Sequence, residues 1–413
     1  MMFINFFMRN ISCFTLFFLL TTATYAAPIR VMTVGDSITV GYGAVYDNYR
    51  GQLAELARSV GCDIQFVGGS AYNIPMISQS PQVISMYAAI SGVTADTVDN
   101  YWINDWMQQG RPDVVLLLLG VNDIGLATRE PQAVINSLGS IIQKMRSVNP
   151  EIRILVGKYP NFTKNAYGNF LVNPDVYKNF ITMNNMIETL VNEENTDATP
   201  ITFVDHSINH NPTMELGADT FDNLHPNLNG NRKYAKNWFN GLVEQGICNN
   251  TNVLTNAAQG KTANTSGNGT DITFPNNAVN GSLPNFVFNG QTSDGPSWVR
   301  LPTEGPQTLE IDLQGTYTLS YFDVNHAASP PALLSLDDSF TANSPAYRIE
   351  ISLDGVEWDN VVTVTDNGLI RTTHKIPPTN ASYVRFIVDP PFASPYIYLT
   401  QFRAMGIPVS VGK

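Results

Sequence analysis

DVVLLLLGVND, residues 113–123, is the stretch of sequence that decides the fold of this 413-residue chain. Its six consecutive apolar residues, Val114–Leu119, predict a strand that is covered on both faces, as strands of parallel sheets are. Gly120 then ends the strand, and the polar pair Asn122 and Asp123 follows at once. Because ligands bind at the carboxyl ends of parallel strands, this stretch predicts an α/β sheet with a functional edge.

Strands and amphipathic helices alternate on both sides of this stretch. Short apolar strands are predicted at Ile29–Val34, Ile64–Val67, Ile152–Gly157 and Ile201–Val204. Helical spacing recurs within Tyr49–Val60, Val134–Met145, Tyr177–Val191 and Tyr234–Gln245. The alternation predicts a doubly wound parallel sheet of the flavodoxin-like kind over residues 28–248.

The composition changes after Cys248. Residues 249–270 are rich in Asn, Thr and Gly and carry no periodic pattern, which predicts a linker or the entry to a new domain. Residues 271–413 then show short alternating strands that are separated by turn signals such as Asp354-Gly355. This pattern is typical of an all-β sandwich.

The charge balance excludes one class of function. Lys and Arg total 23 against 35 Asp and Glu, a formal net charge of −12, whereas a nucleic-acid-binding face needs clustered cations. Charged residues make up only 14% of the chain and hydrophobic residues 43%, which is not the composition of a disordered protein. Three cysteines are too few for a disulfide scaffold or a Cys-rich zinc module.

The amino terminus resembles an export signal. Arg9 precedes the apolar run Ile11–Leu20, and small residues follow up to Ala26. The run is shorter than the ~20 residues that a membrane span needs, and no later stretch is long enough either. We therefore expect residues 1–26 to be a signal peptide rather than an anchor, and the protein to be secreted, extracellular or periplasmic.

Cleavage after residue 26 would leave two cysteines. Cys62 precedes a predicted strand and Cys248 follows the last predicted helix, positions that share one edge of a doubly wound sheet. The two thiols could form a disulfide or stay buried and reduced, and we favour the disulfide.

Three polar motifs follow predicted strands or precede the last helix: Gly35-Asp36-Ser37, Asn122 with Asp123, and Asp222-x-x-His225. Each motif alone is weak, because Asn and Asp are common in turns and caps and a lone His is usually structural. Together they supply what acyl transfer needs: a serine, a histidine base, and a carboxylate that orients the base. His206 and His210 lack a partner at this spacing.

With these motifs the sequence resembles the SGNH, or GDSL-type, serine hydrolases. Four motifs occur in that family's order: Gly35-Asp36-Ser37-Ile38-Thr39, Ser91-Gly92-Val93-Thr94, Gly120-Val121-Asn122-Asp123 and Asp222-x-x-His225. The resemblance implies Ser37 as nucleophile, His225 as general acid and base, and Asp222 as its orienter. It further implies an oxyanion hole made by the N–H groups of Ser37 and Gly92 and the side chain of Asn122, without a cofactor or a metal.

Within that family the chain is most similar to carbohydrate esterase family 3 acetylxylan esterases. The likeness rests on Gly-Asp-Ser-Ile-Thr-x-Gly, Tyr49-Arg50, Gln65-Phe66-Val67-Gly68 and His225-Pro226-Asn227. Those enzymes typically have a His-Glu-Gly-His-like stretch where this chain has Tyr87-Ala88-Ala89-Ile90. Residues 88–94 resemble the secreted lysophospholipase and thioesterase branch equally well.

The carboxyl-terminal region resembles discoidin-type modules, also called coagulation-factor type C or galactose-binding-like domains. The resemblance rests on residues 260–263, 298–300, 309–313, 347–355, 383–386 and a closing strand around 397–406. Such modules often bind glycans, and some hold a structural calcium ion, for which this sequence carries no pattern. Trp298, His326, Trp358 and Tyr396 are the candidates for contact with sugar. A purely structural sandwich is the alternative.

The leading hypothesis is therefore a serine esterase that removes O-acetyl groups from a polysaccharide or another ester substrate, aided by a glycan-binding module. A lipase, lysophospholipase or thioesterase of the same family is one alternative. A non-catalytic glycan-binding protein is the other. We expect neither nucleic acid nor a transmembrane segment to be involved.

Overall fold

The computed structural model describes residues 27–42, 48–69, 86–169, 171–215, 217–249, 253–281, 297–326, 344–367, 371–392 and 395–409. The expected signal peptide, residues 1–26, lies outside the described residues. Among these residues, two large hydrophobic cores lie on opposite sides of residue 250, and Leu254, Tyr321 and Met405 form a small third cluster.

The first core surrounds a parallel sheet. Its strands are β1 Ile29–Gly35, β2 Ile64–Val67, β3 Ala88–Ala89, β4 Val114–Leu118, β5 Arg153–Lys158 and β6 Ile201–Asp205. Its helices are α1 Ser37–Val40, α2 Tyr49–Ser59, α3 Ala95–Thr97, α4 Ile103–Gly110, α5 Val121–Gly125, α6 Pro131–Val148, α7 Pro174–Glu194 and α8 Leu228–Glu244. A π turn, Val98–Trp102, joins α3 to α4, and Tyr167–Asn169 form a 3-10 turn.

The strand order β2-β1-β4-β5-β6 positions the functional edge. The chain builds outward from β1 on one side and from β4 on the other, so β1 and β4 are neighbours at the topological switch point. Ligands bind at such points in open parallel sheets, beyond the carboxyl ends of the strands. Every residue of β4 is buried, as its unbroken apolar sequence predicts. The prediction of a doubly wound parallel sheet is confirmed.

The second core lies within a mainly antiparallel sandwich. Its strands are β7 Thr255–Asn256, β8 Ala263–Asp271, β9 Trp298–His326, β10 Tyr347–Ser352, β11 Asp359–Val364, β12 Arg371–Val388 and β13 Ile397–Pro408. β9 pairs with β8, β12 and β13, and its pairing with β13 is parallel. A 3-10 turn spans Pro275–Val279. The predicted all-β fold of this region is confirmed.

The second sheet differs from expectation in where it begins and in how long its strands are. β7 and all but the last residue of β8 lie inside the 249–270 segment that was expected to be a linker or domain entry. Most of β8 is not buried, so its sequence can be polar throughout. It therefore shows no apolar alternation from which a strand could be predicted. The strands are also longer than the short ones expected for residues 271–413, because β9 spans 29 residues and β12 spans 18.

Cys62 and Cys248 form a disulfide, as expected. Cys62 lies just before β2 and Cys248 just after α8, and their Cα atoms are 5.3 Å apart. The bond connects the start of the sheet to the end of the first domain. Among the helices that the structure describes, none has the length and apolar content needed to cross a membrane.

Candidate active site

Three side chains that the sequence singled out lie in hydrogen-bonding order at the edge of the first sheet. Ser37 begins α1 directly after β1, and its Oγ lies 2.8 Å from Nε2 of His225. The Nδ1 atom of His225 lies 2.7 Å from Oδ2 of Asp222. The carboxylate therefore fixes the tautomer: Nδ1–H donates to Asp222, and Nε2 is free to accept from the serine hydroxyl.

The turn that carries Asp222 and His225 is shaped by its own sequence. Asp222 Oδ1 accepts hydrogen bonds from the backbone N–H groups of Leu224 and His225, at 3.1 and 2.7 Å. Asn223 between them adopts a left-handed φ of 65°, a conformation that asparagine tolerates better than most residues. One carboxylate thus orders the turn and orients the imidazole.

The predicted donors of the oxyanion hole lie in α1, the 91–94 turn and α5, where α1 and α5 follow β1 and β4. Asn122 follows β4, and its Nδ2 donates to the backbone oxygen of Val93 over 3.1 Å, which leaves its second N–H for another acceptor. Gly92 has a φ of 76° with open space where a Cβ would lie, so the turn needs glycine for its backbone rather than for lack of room. Ser37, whose N–H is the third predicted donor, is the first residue of α1.

Asp36, next to Ser37, is a buried carboxyl group whose partner the sequence did not reveal. Its Oδ2 accepts from the hydroxyl of Tyr159 over 2.6 Å, and its Oδ1 caps α1 by accepting from Ile38 N–H over 2.9 Å. Burial raises the pKa of Asp36 to about 6, although both hydrogen bonds and the nearby His225 act in the other direction. Tyr159 lies 123 residues away at the end of β5, so no local spacing could have paired the two.

Aromatic rings surround the imidazole of His225. The ring of Tyr42 lies 4.7 Å from it, that of Tyr167 5.4 Å, and that of Phe221 5.8 Å in a stacked arrangement. Tyr42 and Tyr167 also contact each other edge-on, with ring centroids 6.0 Å apart. Sequence reasoning missed all three rings, although Phe221 directly precedes the Asp222-x-x-His225 motif and Tyr42 follows Ser37 by one turn.

The other two histidines of the first domain do not join this group. His206 is fully buried and stacks on Tyr234 at 4.3 Å, and His210 meets the same ring edge-on at 5.6 Å. Burial lowers the pKa of His206 well below its ordinary value and that of His210 to about 4. Both are therefore neutral side chains that pack in the interior.

In the second domain the four candidates for contact with sugar separate into two groups. Trp298 and His326 are completely buried, so they belong to the core. Trp358 stacks with the guanidinium of Arg385 at 4.2 Å, and Tyr396 is exposed. Within the described part of both domains, no cluster of three or more His, Cys, Asp or Glu side chains is arranged to hold a metal ion.

A serine, a histidine and an aspartate in this order, at the switch point of a flavodoxin-like sheet, are the arrangement of the serine hydrolases. Residues 33–233 match the GDSL-like lipase/acylhydrolase family, and residues 260–394 match the F5/8 type C domain. The chain therefore carries a GDSL-like lipase/acylhydrolase domain followed by an F5/8 type C, or discoidin-type, domain.

Individual relatives are distant. The chain is 23% identical over 231 residues to a multidomain esterase from Ruminococcus flavefaciens; the match covers 52% of this chain and 28% of that protein's length. A carbohydrate esterase family 3 structure from Talaromyces cellulolyticus is 24% identical, with 52% of this chain and 97% of that one covered and a TM-score of 0.44. A chitosan-binding module from Paenibacillus sp. IK-5 is 23% identical, with coverage of 37% and 99% and a TM-score of 0.29.

Proposed function

We propose that the protein is a secreted serine esterase that removes acetyl groups from a polysaccharide or oligosaccharide. The observation that carries the proposal is the hydrogen-bonded chain from Ser37 through His225 to Asp222. A serine hydroxyl is a weak nucleophile unless a base takes its proton and a third group orients that base. His225 is placed to take the proton of Ser37, and Asp222 orients His225, so both conditions are met.

In the proposed acylation step, Ser37 Oγ attacks the ester carbonyl carbon while its proton passes to Nε2 of His225. Asp222 stabilises the imidazolium that forms. The negative oxygen of the tetrahedral intermediate accepts hydrogen bonds from the N–H groups of Ser37 and Gly92 and from the free N–H of Asn122. The C–O bond to the sugar then breaks, His225 returns its proton to the departing sugar oxygen, and the acetyl group remains on Ser37.

In the second half of the reaction, water replaces the sugar hydroxyl. His225 takes a proton from the water as it attacks the acetyl carbonyl, and the same donors stabilise the second oxyanion. Collapse of this intermediate breaks the bond to Ser37 Oγ, which recovers its proton from His225, and acetate leaves. Only protons and an acetyl group are transferred, so the mechanism uses no cofactor.

The choice of an acetylated carbohydrate is supported by the motifs shared with acetylxylan esterases and by the appended discoidin-type domain, since modules of that type often bind glycans. The lipase, lysophospholipase or thioesterase alternative is supported by residues 88–94, which resemble the secreted lysophospholipase and thioesterase branch equally well. Against a non-catalytic glycan-binding protein stands the complete chain of hydrogen bonds, which such a protein has no physical reason to keep.

Export is proposed on two features. Residues 1–26 have the charge and apolar pattern of a signal peptide. Cys62 and Cys248 form a disulfide. Disulfides form and persist in oxidising compartments and are rare where thiols are kept reduced. Secretion into the extracellular space or the periplasm agrees with both.

The function is tested with p-nitrophenyl esters from acetate to palmitate and with acetylated xylan, using the full chain and its Ser37→Ala variant. We expect a preference for acetate, release of acetate from xylan, and a loss of about 10⁴-fold or more in kcat for Ser37→Ala. Ser147→Ala is the matched control, because Ser147 is exposed on α6 and bonds only the backbone oxygen of Lys144 among described groups. It should keep full activity.

Two outcomes would contradict the proposal. Highest activity on palmitate would replace the deacetylase with a lipase that uses the same side chains. Unchanged activity in Ser37→Ala would remove Ser37 as the nucleophile and the mechanism with it.

A further inference from the structure

Tyr42 and Tyr167 lie beside the imidazole of His225 while much of each ring remains exposed. Tyr42 is 37% exposed and Tyr167 is 50% exposed. Large aromatic side chains normally bury most of their surface, because their burial is strongly favourable. Phe221, which stacks on the same imidazole, is less exposed and suffices to pack against its face. The open surface of the two tyrosines is therefore more than the packing of His225 requires.

Both rings are held by the turns that hold the catalytic residues. Tyr42 follows Gly41, whose φ of 93° ends α1, the helix that Ser37 begins. Tyr167 begins a 3-10 turn whose second residue, Gly168, also has a positive φ, of 66°. The loop before this turn is bound to the His225 turn, because Asn223 Nδ2 donates to the backbone oxygen of Asn165 over 3.1 Å. A displacement of either ring would therefore also shift the turns that carry Ser37 and His225.

The two rings also fix each other. A hydrogen bond between the tyrosine side chains raises the pKa of Tyr42, and burial and the charge of Asp222 act in the same direction. The Tyr42 hydroxyl is therefore protonated at neutral pH. A pair of rigid tyrosine rings offers apolar contact and hydrogen bonds at little cost in conformational entropy.

The position of the rings decides which part of an ester they meet. The departing alcohol oxygen must come within hydrogen-bonding distance of His225 Nε2, because this atom returns the proton to it. The carbonyl oxygen instead points toward Gly92 and Asn122. Because the rings of Tyr42 and Tyr167 lie 4.7 and 5.4 Å from the imidazole that returns this proton, we expect them to meet the alcohol side of the ester rather than the acyl side.

We propose that Tyr42 and Tyr167 form the subsite for the sugar ring that carries the ester, an inference that rests on the proposed function. A pyranose ring presents C–H groups on its faces and hydroxyl groups at its edge. The exposed tyrosine rings can pack against the C–H groups of the sugar, and the tyrosine hydroxyl groups can hydrogen-bond to the sugar hydroxyl groups. The substrate class assigned to the site is therefore a carbohydrate ester, and the acyl group contributes little to binding at these two rings.

The experiment compares an acetylated xylo-oligosaccharide with ethyl acetate, whose alcohol is too small to cover either ring. Wild type, Tyr167→Ala, Tyr167→Phe and the control Tyr101→Ala are measured on both. We expect Tyr167→Ala to lower the ratio of kcat/KM for the sugar ester over that for ethyl acetate about tenfold, mainly through a higher KM for the sugar ester. Tyr167→Phe should keep most of this ratio, because it keeps the ring.

Tyr101→Ala removes an equally large ring, 73% exposed, from the π turn of the same domain, and it should leave the ratio unchanged. Because Tyr167 is half exposed, its replacement should not prevent folding, which a thermal unfolding curve checks. Ethyl butyrate serves as a third substrate to probe the acyl side.

Each contrary result has a distinct meaning. If Tyr167→Ala reduces kcat for both acetates equally, the tyrosine only positions His225 and the subsite is wrong. If it changes the ratio of ethyl butyrate to ethyl acetate instead, the rings bind the acyl chain and the subsite is also wrong. If wild type cleaves ethyl acetate but no acetylated sugar, the proposed function itself fails, and the subsite falls with it.

Discussion

At the scale of single residues, Asp36 combines two roles that oppose each other. As the cap of α1 it accepts the N–H of Ile38 and so holds the start of the helix that carries Ser37. As a fully buried carboxyl group it is costly to ionise, and burial raises its pKa from 3.8 to about 6. The hydroxyl of Tyr159 and the nearby His225 offset part of this cost, whereas the nearby Asp123 adds to it.

The raised pKa predicts how Asp36 affects stability. The folded state holds the proton more tightly than the unfolded state, so the stability from Asp36 is fully present below about pH 3.8 and is lost as the pH rises through about 6. The loss amounts to roughly 3 kcal/mol, at about 1.4 kcal/mol per pKa unit. In Asp36→Asn this contribution is absent at every pH. The free energy of unfolding of the variant minus that of wild type should therefore increase as the pH is raised from 4 to 7.

Urea denaturation of both proteins across this range measures the difference, and subtracting wild type removes the contributions of all other titrating groups. Asp105→Asn, a change on the exposed side of α4, is the control and should show a difference that is independent of pH. The same flat difference for Asp36→Asn would mean that Asp36 is already ionised in the folded protein at pH 4.

At the scale of elements, α5 determines the shape of the 91–94 turn. Asn122 binds the turn at the oxygen of Val93, and the next residue, Asp123, accepts the N–H of Ala95 at the start of α3 over 2.7 Å. Asp123 is itself held by Arg129 over 2.9 Å. Two neighbouring side chains of one short helix therefore hold the segment on both sides of Thr94, at Val93 and at Ala95. Asp123 is a positioning residue, because it acts on the proposed oxyanion hole through the backbone.

Loss of this clamp should reduce the rate rather than the binding of substrate. In Asp123→Ala the 91–94 turn loses its anchor at Ala95, so we expect kcat to fall about 10²-fold with little change in KM, as when one oxyanion donor is misplaced. Asp123→Asn keeps an acceptor for Ala95 but weakens the pairing with Arg129, and it should lie between. Steady-state kinetics on p-nitrophenyl acetate measures both.

Asp96→Asn is the control, because Asp96 pairs with the same Arg129 at 3.4 Å from an exposed position. It should keep kcat within about twofold, since exposed ion pairs contribute little. A folded Asp123→Ala variant with full kcat would show that the turn keeps its shape without the clamp.

At the scale of the whole molecule, α2 connects the two domains. Arg58 on α2 pairs with Asp323 on β9 at 3.1 Å, with only 6% and 3% of the two side chains exposed. Glu55, also on α2, pairs with Arg403 of the second domain at 2.6 Å. Asp63, which lies between α2 and β2, pairs with Lys375 of that domain at 2.5 Å. Asn48, the cap of α2, also donates to the backbone oxygens of Thr39 and Val40 in the helix that Ser37 begins. The same helix thus contacts the second domain at its end and the active-site helix at its start.

These distances along the chain explain what the sequence could and could not predict. Ser37 and Asn122 were predictable because each directly follows a strand whose apolar run is visible, and Asp222 and His225 because they share one turn. Arg58 and Asp323 are 265 residues apart, and Tyr159 and Asp36 are 123 apart. Such pairs depend on how sheets and domains pack, which local periodicity does not contain. Tyr167 was missed for the same reason, since only packing brings its turn to His225.

The buried pair between Arg58 and Asp323 leads to a prediction about the interface. Replacing Asp323 by Leu leaves the Arg58 guanidinium buried without its carboxylate, which should lower the free energy of unfolding by about 3–5 kcal/mol. The double variant Arg58→Met, Asp323→Leu removes both charges and should recover most of this loss, because an apolar pair of similar size is often as stable as a buried ion pair. Urea denaturation followed by circular dichroism measures both.

Asp63→Asn breaks an exposed pair at the same interface and is the control, with an expected cost below about 1 kcal/mol. If the double variant were as unstable as Asp323→Leu, the loss would come from the hydrogen bond that Asp323 accepts from Thr373, at 2.6 Å, and not from an uncompensated charge between the domains.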